Sequence, residues 1–404
     1  MTDDLAFETI STLAPRIRRR DLSSEELVRT VIERTHRLEP TLNSYITFRP
    51  DAALERARAV DLEIAQGKYR GPLHGIPFSL KDHFETQGVP TTAGARFLAG
   101  NVPKQDAAVA RRLKAAGAVL LGKSNMNKFA GGESGDNPDF GKIRNPWNTD
   151  YSPGGSSGGA GAQVAAGLVP LSIGSDNGGS IRIPAALCGV VGLKPTFGRI
   201  SMEGMYPRAY TADHPGPLTR LVEDCAIALQ ALAGHDRGDT TTIAKPVPDY
   251  LASLKKPLTT LRVGVDHKYA SVGEPAVLDR FGAALETLIR LGATLHDVTV
   301  PAVDEMTTLG YALMPDYSSD TQLFLAHPDE YPAEFRPYAM AALLTPAMAY
   351  IKAMQKRRLI QVEYARATKS VDVFACPSYP LRRRPFGEYP RGYRPCLGGE
   401  ACRH

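Results

Sequence analysis

Three short segments of the sequence combine glycines with residues that can attack a substrate or accept a proton. They are residues 75–82 (GIPFSLKD), 153–159 (PGGSSGG) and 176–184 (DNGGSIRIP). In the third segment, Gly178 and Gly179 allow consecutive backbone N–H groups to surround one point beside the hydroxyl of Ser180. A tetrahedral oxyanion needs such donors, so the spacing favours a nucleophile beside its own oxyanion hole. A glycine turn that caps a short helix at Pro184, with Ser180 as the capping hydroxyl, explains the same residues.

A serine nucleophile needs a base, because its hydroxyl attacks weakly near neutral pH. The nine histidines lie in contexts that suggest no such role. The best of them is His214, in residues 213–217 (DHPGP), where a structural role in a loop is the simpler explanation. A lysine can be the base if burial lowers its pKa far below about 10.4. Lys81 follows the apolar residues 76–80 (IPFSL) and is that candidate, although a lysine taken alone is more often solvated.

All three segments resemble those of the amidase signature family, the Ser-Ser-Lys hydrolases of amides. The resemblance extends from about Glu25 to Pro380 and includes further motifs in order. These are residues 122–126 (GKSNM), 145–147 (NPW) and 189–196 (GVVGLKPT). The resemblance implies an amidase that converts a carboxylic amide to a carboxylate and ammonia or an amine. It implies an acyl-serine intermediate, a small-molecule amide as the binding partner, and no cofactor or metal.

The family pattern assigns a role to each matching residue of this sequence. It makes Ser180 the nucleophile, Ser156 the bridging serine and Lys81 the base, with Ser157 in support. It implies an oxyanion hole built from backbone N–H groups of residues 177–180, namely Asn177, Gly178, Gly179 and Ser180. Asp176 and Arg182 are the only charges next to the nucleophile, and buried charges need partners, so we expect them to hold the loop in shape. Cys188 matches a structural position.

The sequence departs from the family pattern at three places. Asn177 replaces the usual threonine or apolar residue, which matters little if only its backbone N–H is used. Lys128 stands where relatives often carry an acidic residue, and we expect it to be a surface variation without a role. After the strand expected at 371–376 the family continues with further strands, whereas residues 381–404 are rich in arginine, proline and glycine. We expect this tail to be disordered and C-terminal strands to be missing, and both an active enzyme and an impaired one stay open.

Several alternatives remain. The glutaminase subunit of a tRNA-dependent amidotransferase, which releases ammonia for a partner subunit, belongs to the same family. Because residues 302–369 do not resemble the well-marked segment of that branch, a free-standing amidase is preferred. A truncated, inert relative and a partner-dependent scaffold stay open. Residues 154–158 also fit the G-x-S-x-G elbow, but residues 144–150 before it do not look like a strand. Nucleotide-binding glycine motifs are lacking.

The hydrophobic pattern predicts helices alternating with strands, which indicates an α/β fold. A capping box at residues 23–26 (SSEE) starts the first long helix, and Gly117 ends a helix over 106–116. The other predicted helices cover 222–233, 274–291 and a stretch that begins with Thr345 as N-cap and Pro346 as first helical residue. The predicted strands cover 118–121, 168–173, 188–193, 261–265, 295–300 and 371–376. With the resemblance, this favours an α/β/α sandwich around a mixed, mostly parallel sheet, as one domain over 1–380 with a helical, substrate-side insertion at about 302–369.

The composition is that of an ordinary soluble globular protein. Of 404 residues, 43% are hydrophobic and 23% are charged. Most of the net charge of +5 comes from the C-terminal tail, so a nucleic-acid surface is not indicated. Five scattered cysteines, an acidic N-terminus and the lack of a long apolar run predict a reduced, cytoplasmic protein without a membrane span. A homodimer is possible.

Overall fold

The computed structural model describes residues 4–300, 321–331, 333, 336–382 and 384–386, which belong to two compact units. The first unit contains the described chain up to Arg208, residues Ala212–Leu254 and a short segment around Arg384. The second contains Ala209–Thr211 and the described residues from Lys255 to Arg382. The single domain over 1–380 and the disordered tail stay predictions, and most of that tail lies outside the described residues.

Six strands form one mixed sheet in the first unit. They are β1 (Tyr45–Phe48), β2 (Pro77–Lys81), β3 (Val119–Ser124), β4 (Leu171–Asp176), β5 (Val191–Gly192) and β6 (His214–Thr219). Their order across the sheet is β1-β3-β2-β4-β6-β5. β2 runs parallel to both β3 and β4, and the other neighbours pair antiparallel. The predicted mixed α/β fold is confirmed, and its parallel strands lie at the centre of this sheet.

The two central strands β2 and β4 end side by side. β2 ends at Lys81 and β4 ends at Asp176, and the register pairs Leu80 with Ile173. Because parallel strands have their carboxyl ends at the same edge of a sheet, Lys81 and the loop after Asp176 share that edge. Every residue of both strands is buried, which is typical of strands covered on both faces.

Nine α-helices among the described residues belong to the first unit. They are α1 (Asp4–Phe7), α2 (Ile10–Arg19), α3 (Ser24–Leu42), α4 (Pro50–Ala65), α5 (Ala108–Ala115), α6 (Gly158–Ala165), α7 (Arg182–Cys188), α8 (Val222–Leu232) and α9 (Tyr250–Ser253). Helix α3 begins as predicted, because the Ser23 side chain accepts a hydrogen bond from the N–H of Glu26. Helices α4, α6 and α8 pack against strands of the sheet and help to bury it.

The predicted strand at 188–193 is mostly wrong. Cys188 is the last residue of helix α7, and only Val191–Gly192 pairs in the sheet. Pro184 occupies the first turn of α7, where its fixed φ suits a helix, and Gly189 ends the helix with a φ of +70°. The apolar run therefore contributes to a buried helix first and to a two-residue edge strand afterwards.

The second unit contains a three-stranded parallel sheet in the order β8-β7-β9. The strands are β7 (Arg262–Val265), β8 (Thr294–Asp297) and β9 (Val373–Ala375). The helices described in this unit are α10 (His267–Ala270), α11 (Pro275–Arg290), α12 (Thr321–Ala326), α13 (Arg336–Leu344) and α14 (Ala347–Ala367). The β-α-β order predicted for 261–300 is confirmed.

The start of helix α14 differs from the sequence prediction. Pro346, not Thr345, is the N-cap of α14, because its ψ of 138° is extended. The Thr345 hydroxyl instead donates to the carbonyl of Ala341 in the last turn of α13. The predicted helical insertion at 302–369 is mostly helical where it is described, and its part from 302 to 320 lies outside the described residues. In the described chain no helix is long and apolar enough to cross a membrane.

Candidate active site

Lys81 is the last residue of β2 and is completely buried. Its Nζ lies 2.6 Å from Oγ of Ser156 and 3.0 Å from Oγ of Ser175. Burial lowers the pKa of Lys81 from its ordinary value of 10.5 to about 7, since an ammonium loses hydration there. The carboxylates of Asp213 and Asp176 oppose this shift, while Arg208 adds to it. Near neutral pH a large fraction of Lys81 is therefore an uncharged amine that can accept a proton.

Ser156 and Ser157 immediately precede helix α6, and both are fully buried. The Ser156 carbonyl accepts a hydrogen bond from the N–H of Asn127 at 3.2 Å. The Ser157 hydroxyl donates to the carbonyl of Ser175 at 3.2 Å, and the N–H of Ser175 approaches the same hydroxyl at 3.3 Å. The N–H of Ser157 donates to the carbonyl of Ser180 at 3.2 Å. Ser157 thus joins the end of β4 to the loop that carries Ser180.

The loop of residues 177–180, called here the nucleophile loop, connects β4 to α7. The Asp176 carboxylate fixes its shape by accepting N–H groups of Gly179 at 2.8 Å and Ile181 at 3.1 Å. The Arg182 guanidinium donates to both oxygens of Asp176 at 2.9 Å. These donors lower the pKa of Asp176 although burial opposes them, so the carboxylate is charged and paired.

Three backbone N–H groups of the nucleophile loop are open to a substrate. Among the described residues, no group accepts a hydrogen bond from the backbone N–H of Asn177, Gly178 or Ser180. A Cβ placed on Gly178 would have no atom within 4 Å, so open space lies beside the loop. Gly179 differs, because its N–H is already engaged by Asp176. The loop therefore presents backbone N–H groups next to the Ser180 hydroxyl, and a substrate oxygen can accept hydrogen bonds from them.

The fold brings most of the predicted site residues together, and it adds two that the sequence analysis missed. Ser175 contacts Lys81, a role that depends on β2 lying beside β4. Asp213 accepts a hydrogen bond from the Asn177 side chain at 3.1 Å. The sequence signal for Ser175 is its place directly before Asp176, which precedes the nucleophile loop. Asp213 has no sequence signal beyond its place before His214.

Two other predicted residues lie apart from this chemistry. His214 starts β6 opposite Asp176, and its Nδ1 lies 2.6 Å from the carbonyl of Ala212. Cys188 is buried at the end of α7, with its Sγ 3.5 Å from the carbonyl of Pro153. No group of three or more His, Cys, Asp or Glu side chains among the described residues could hold a metal ion.

The prediction that Lys128 is a surface variation is wrong. Its side chain is only 5% exposed, and its Nζ lies 2.7 Å from a carboxylate oxygen of Asp139. The ammonium also lies 5.8 Å and 5.9 Å from the ring centres of Phe97 and Phe129, within the range of cation–π contacts. A nearby carboxylate and two aromatic rings explain why a charged side chain can be buried here.

Comparison with known proteins identifies the family. A family model described as Amidase matches residues 26–391. The chain belongs to the amidase family. It is 42% identical to a glutamyl-tRNA(Gln) amidotransferase subunit from Methylococcus capsulatus, over 94% of this chain and 84% of that relative. The chain is thus an enzyme of a family that acts on the C–N bond of amides.

Solved structures of other proteins are similar over the same length. One is described as "An unexpected vestigial protein complex reveals the evolutionary origins of an s-triazine catabolic enzyme". It is 33% identical with a TM-score of 0.88, covering 94% of this chain and 83% of the other. The native peptide amidase of Stenotrophomonas maltophilia is 31% identical with a TM-score of 0.80, covering 93% and 86%. This amidase therefore shares its fold with proteins of different named activities.

Proposed function

We propose that this amidase hydrolyses a carboxylic amide through an ester formed on Ser180. The observation that carries the proposal is the 2.6 Å contact between Nζ of Lys81 and Oγ of Ser156. That contact joins a buried amine whose pKa is about 7 to a buried serine beside the nucleophile loop. A neutral amine, a relaying hydroxyl and an attacking hydroxyl are the groups that such a hydrolysis needs near neutral pH.

The proton moves along three residues. Lys81 takes the proton of Ser156, and the Ser156 oxygen takes the proton of Ser180 as the Ser180 oxygen attacks the amide carbon. The tetrahedral intermediate collapses when its C–N bond breaks, and the same residues return the proton to the leaving nitrogen as ammonia or an amine. Water then attacks the ester and releases the carboxylate, with Lys81 again accepting a proton.

The negative charge on the attacked oxygen is stabilised by backbone donors. We assign the N–H groups of Gly178 and Ser180 to this oxyanion hole, with Asn177 completing the loop. The N–H of Gly179, which the family pattern also includes, is used by Asp176 in this arrangement and holds the loop instead. Losing a single donor of this kind costs about 10²–10³ in kcat in other hydrolases, so these two groups matter as much as the base.

The named relatives favour an ammonia-releasing subunit over the free-standing amidase that the sequence analysis preferred. The identity to the amidotransferase relative is 42%, against 31% to the peptide amidase. We therefore propose a primary amide such as that of glutamine as substrate, with the ammonia passed to a partner protein. A free-standing amidase is the second candidate, supported by the structural similarity to the peptide amidase, with a TM-score of 0.80.

Ammonia release tests this function. The purified chain is incubated with L-glutamine and, separately, with simple primary amides such as propionamide, and ammonia is measured by a coupled dehydrogenase assay. Ammonia from glutamine in preference to the simple amides supports the amidotransferase function, and the reverse preference supports the free-standing amidase. The Ser180→Ala variant controls for contaminants. A folded chain that releases ammonia from none of these amides would count against both candidates and favour an inert relative.

A further inference from the structure

Asp213 lies between the nucleophile loop and the start of β6, and it is only 2% exposed. One oxygen of its carboxylate accepts a hydrogen bond from the Asn177 side chain at 3.1 Å. The other accepts the backbone N–H of Arg208 at 2.7 Å. Asp213 therefore ties the first residue of the nucleophile loop to a second segment of the first unit. Nothing in the proton transfer proposed above uses this carboxylate.

The loop end held by Asp213 is the end that Asp176 holds least. Asp176 binds N–H groups of Gly179, Ile181 and Arg182, which lie at and after the glycine pair. The Asn177 side chain, on the other side of Gly178, is bound by Asp213. The free N–H of Gly178 thus lies between two separately anchored residues. Without Asp213, Asn177 would be free to turn, and the direction of the Gly178 N–H would be less fixed.

Asp213 also supplies negative charge close to Lys81. Three charged groups influence the Lys81 ammonium: the carboxylates of Asp213 and Asp176 favour it, and the guanidinium of Arg208 disfavours it. Asp176 is itself paired with Arg182. His83 is a further titratable neighbour, and burial together with the two lysines Lys81 and Lys123 holds its pKa well below the ordinary value, which favours its neutral form. Asp213 is therefore one of two carboxylates that favour the charged form of Lys81.

We propose that Asp213 is a positioning residue of the amidase site, which holds Asn177 at the start of the nucleophile loop and sets the charge around Lys81. The inference rests on the proposed function, since it concerns the same nucleophile and base. The carboxylate of Asp213 has two separable effects. The hydrogen bond to Asn177 controls how well the loop is ordered, and the negative charge controls the pH at which Lys81 becomes a base.

The test is the rate at which a fluorophosphonate labels Ser180 between pH 5.5 and 9, measured by mass spectrometry on the full chain. In Asp213→Asn the negative charge is lost, so the Lys81 ammonium is less favoured. The midpoint of the acidic limb should move to lower pH by on the order of 0.5–1 unit, with a lower plateau. Asn177→Ala should lower the plateau about five- to tenfold and leave the midpoint in place. The matched control is Asp249→Asn at an exposed helix N-cap, where asparagine caps equally well, so neither value should change.

The electrostatic part and the positioning part of the proposal are contradicted by different results. A midpoint that stays in place or rises in folded Asp213→Asn overturns the electrostatic part, and an unchanged plateau in Asn177→Ala overturns the positioning part. If Asp213→Asn does not fold, Asp213→Glu replaces it, because it keeps the negative charge but moves the carboxylate away from the Asn177 side chain. A lower plateau is then expected, and an unchanged plateau overturns the positioning part. A wild-type chain that is never labelled at Ser180 contradicts the proposed function itself, whereas labelling without these shifts contradicts only the role of Asp213.

Discussion

Nζ of Lys81 and Oγ of Ser156 lie 2.6 Å apart although 75 positions separate them in the chain. The contact exists because β2 delivers Lys81 to the edge of the sheet where the segment before α6 begins. If Ser156 relays the proton, Ser156→Ala should lower kcat by about 10²–10⁴ with little change in KM. The control is Ser172→Ala, which removes a buried serine of the same sheet that bonds to Ser79 and not to Lys81. Steady-state kinetics on the preferred amide give kcat and KM for both variants. Equal losses of kcat in Ser156→Ala and Ser172→Ala would contradict the relay.

The pH dependence follows from the lowered pKa of Lys81, which is about 7. Only the neutral amine can accept a proton, so kcat/KM should fall about tenfold per pH unit below pH 7 and level off above it. Lys81→Ala should lose at least about 10²-fold in rate, and its remaining rate should rise toward alkaline pH. The measurement is a pH profile of wild type and variant. A wild-type rate that is flat from pH 5.5 to 8 would remove Lys81 as the base.

Residue types and order predict part of this site. Glycines beside Ser180 and a lysine after an apolar stretch suggest a nucleophile and a base, the resemblance to the amidase signature family adds Ser156, and Lys81 and Ser156 do lie in contact. Ser175 could not be predicted, because its contact with Lys81 arises from the parallel pairing of two strands far apart in the chain. Asp213 could not be predicted either, since its partner Asn177 is brought close only by the antiparallel pairing of β4 with β6.

The errors have physical causes that local patterns do not contain. The apolar residues after Pro184 suit a helix and a strand equally. In the folded chain they form a helix up to Cys188, because that helix packs against the sheet. Lysines are usually exposed to solvent, which is why the sequence predicts Lys128 at the surface. Its side chain is instead buried against Asp139 and two aromatic rings. In both cases a tertiary contact outweighs the local preference.

Close packing at the start of helix α6 predicts an unusual effect of a glycine substitution. A Cβ on Gly159 would lie 2.5 Å from the backbone oxygens of Asn125 and Ser44. Gly159→Ala should therefore lower the free energy of unfolding by on the order of 1–3 kcal/mol, although alanine normally favours a helix. In Gly282→Ala the added methyl meets no atom within 4 Å, so about 0.5–1 kcal/mol of stabilisation is expected. Urea unfolding followed by circular dichroism tests whether the free energy of unfolding falls in Gly159→Ala and rises in Gly282→Ala.

The buried pair of Lys128 and Asp139 gives a further prediction. Asp139→Asn removes the carboxylate that lies 2.7 Å from the Lys128 ammonium, and should lower the free energy of unfolding by about 3 kcal/mol. Replacing both, with Lys128→Met and Asp139→Asn together, removes the buried charge and should recover most of the loss. Denaturant unfolding of the two single variants and the double variant forms a cycle. A double variant as unstable as the sum of the single ones would show that the residues do not act as a pair.

The most direct test of the account is to identify the serine that reacts. The intact chain is treated with a fluorophosphonate at pH 8, weighed by mass spectrometry and mapped by peptide digestion, beside Ser180→Ala. The account predicts one adduct per chain, located on Ser180, and none in the variant. A folded, monodisperse protein that takes up no label, or that is labelled on another serine such as Ser156, would contradict the assignment of Ser180 as the nucleophile.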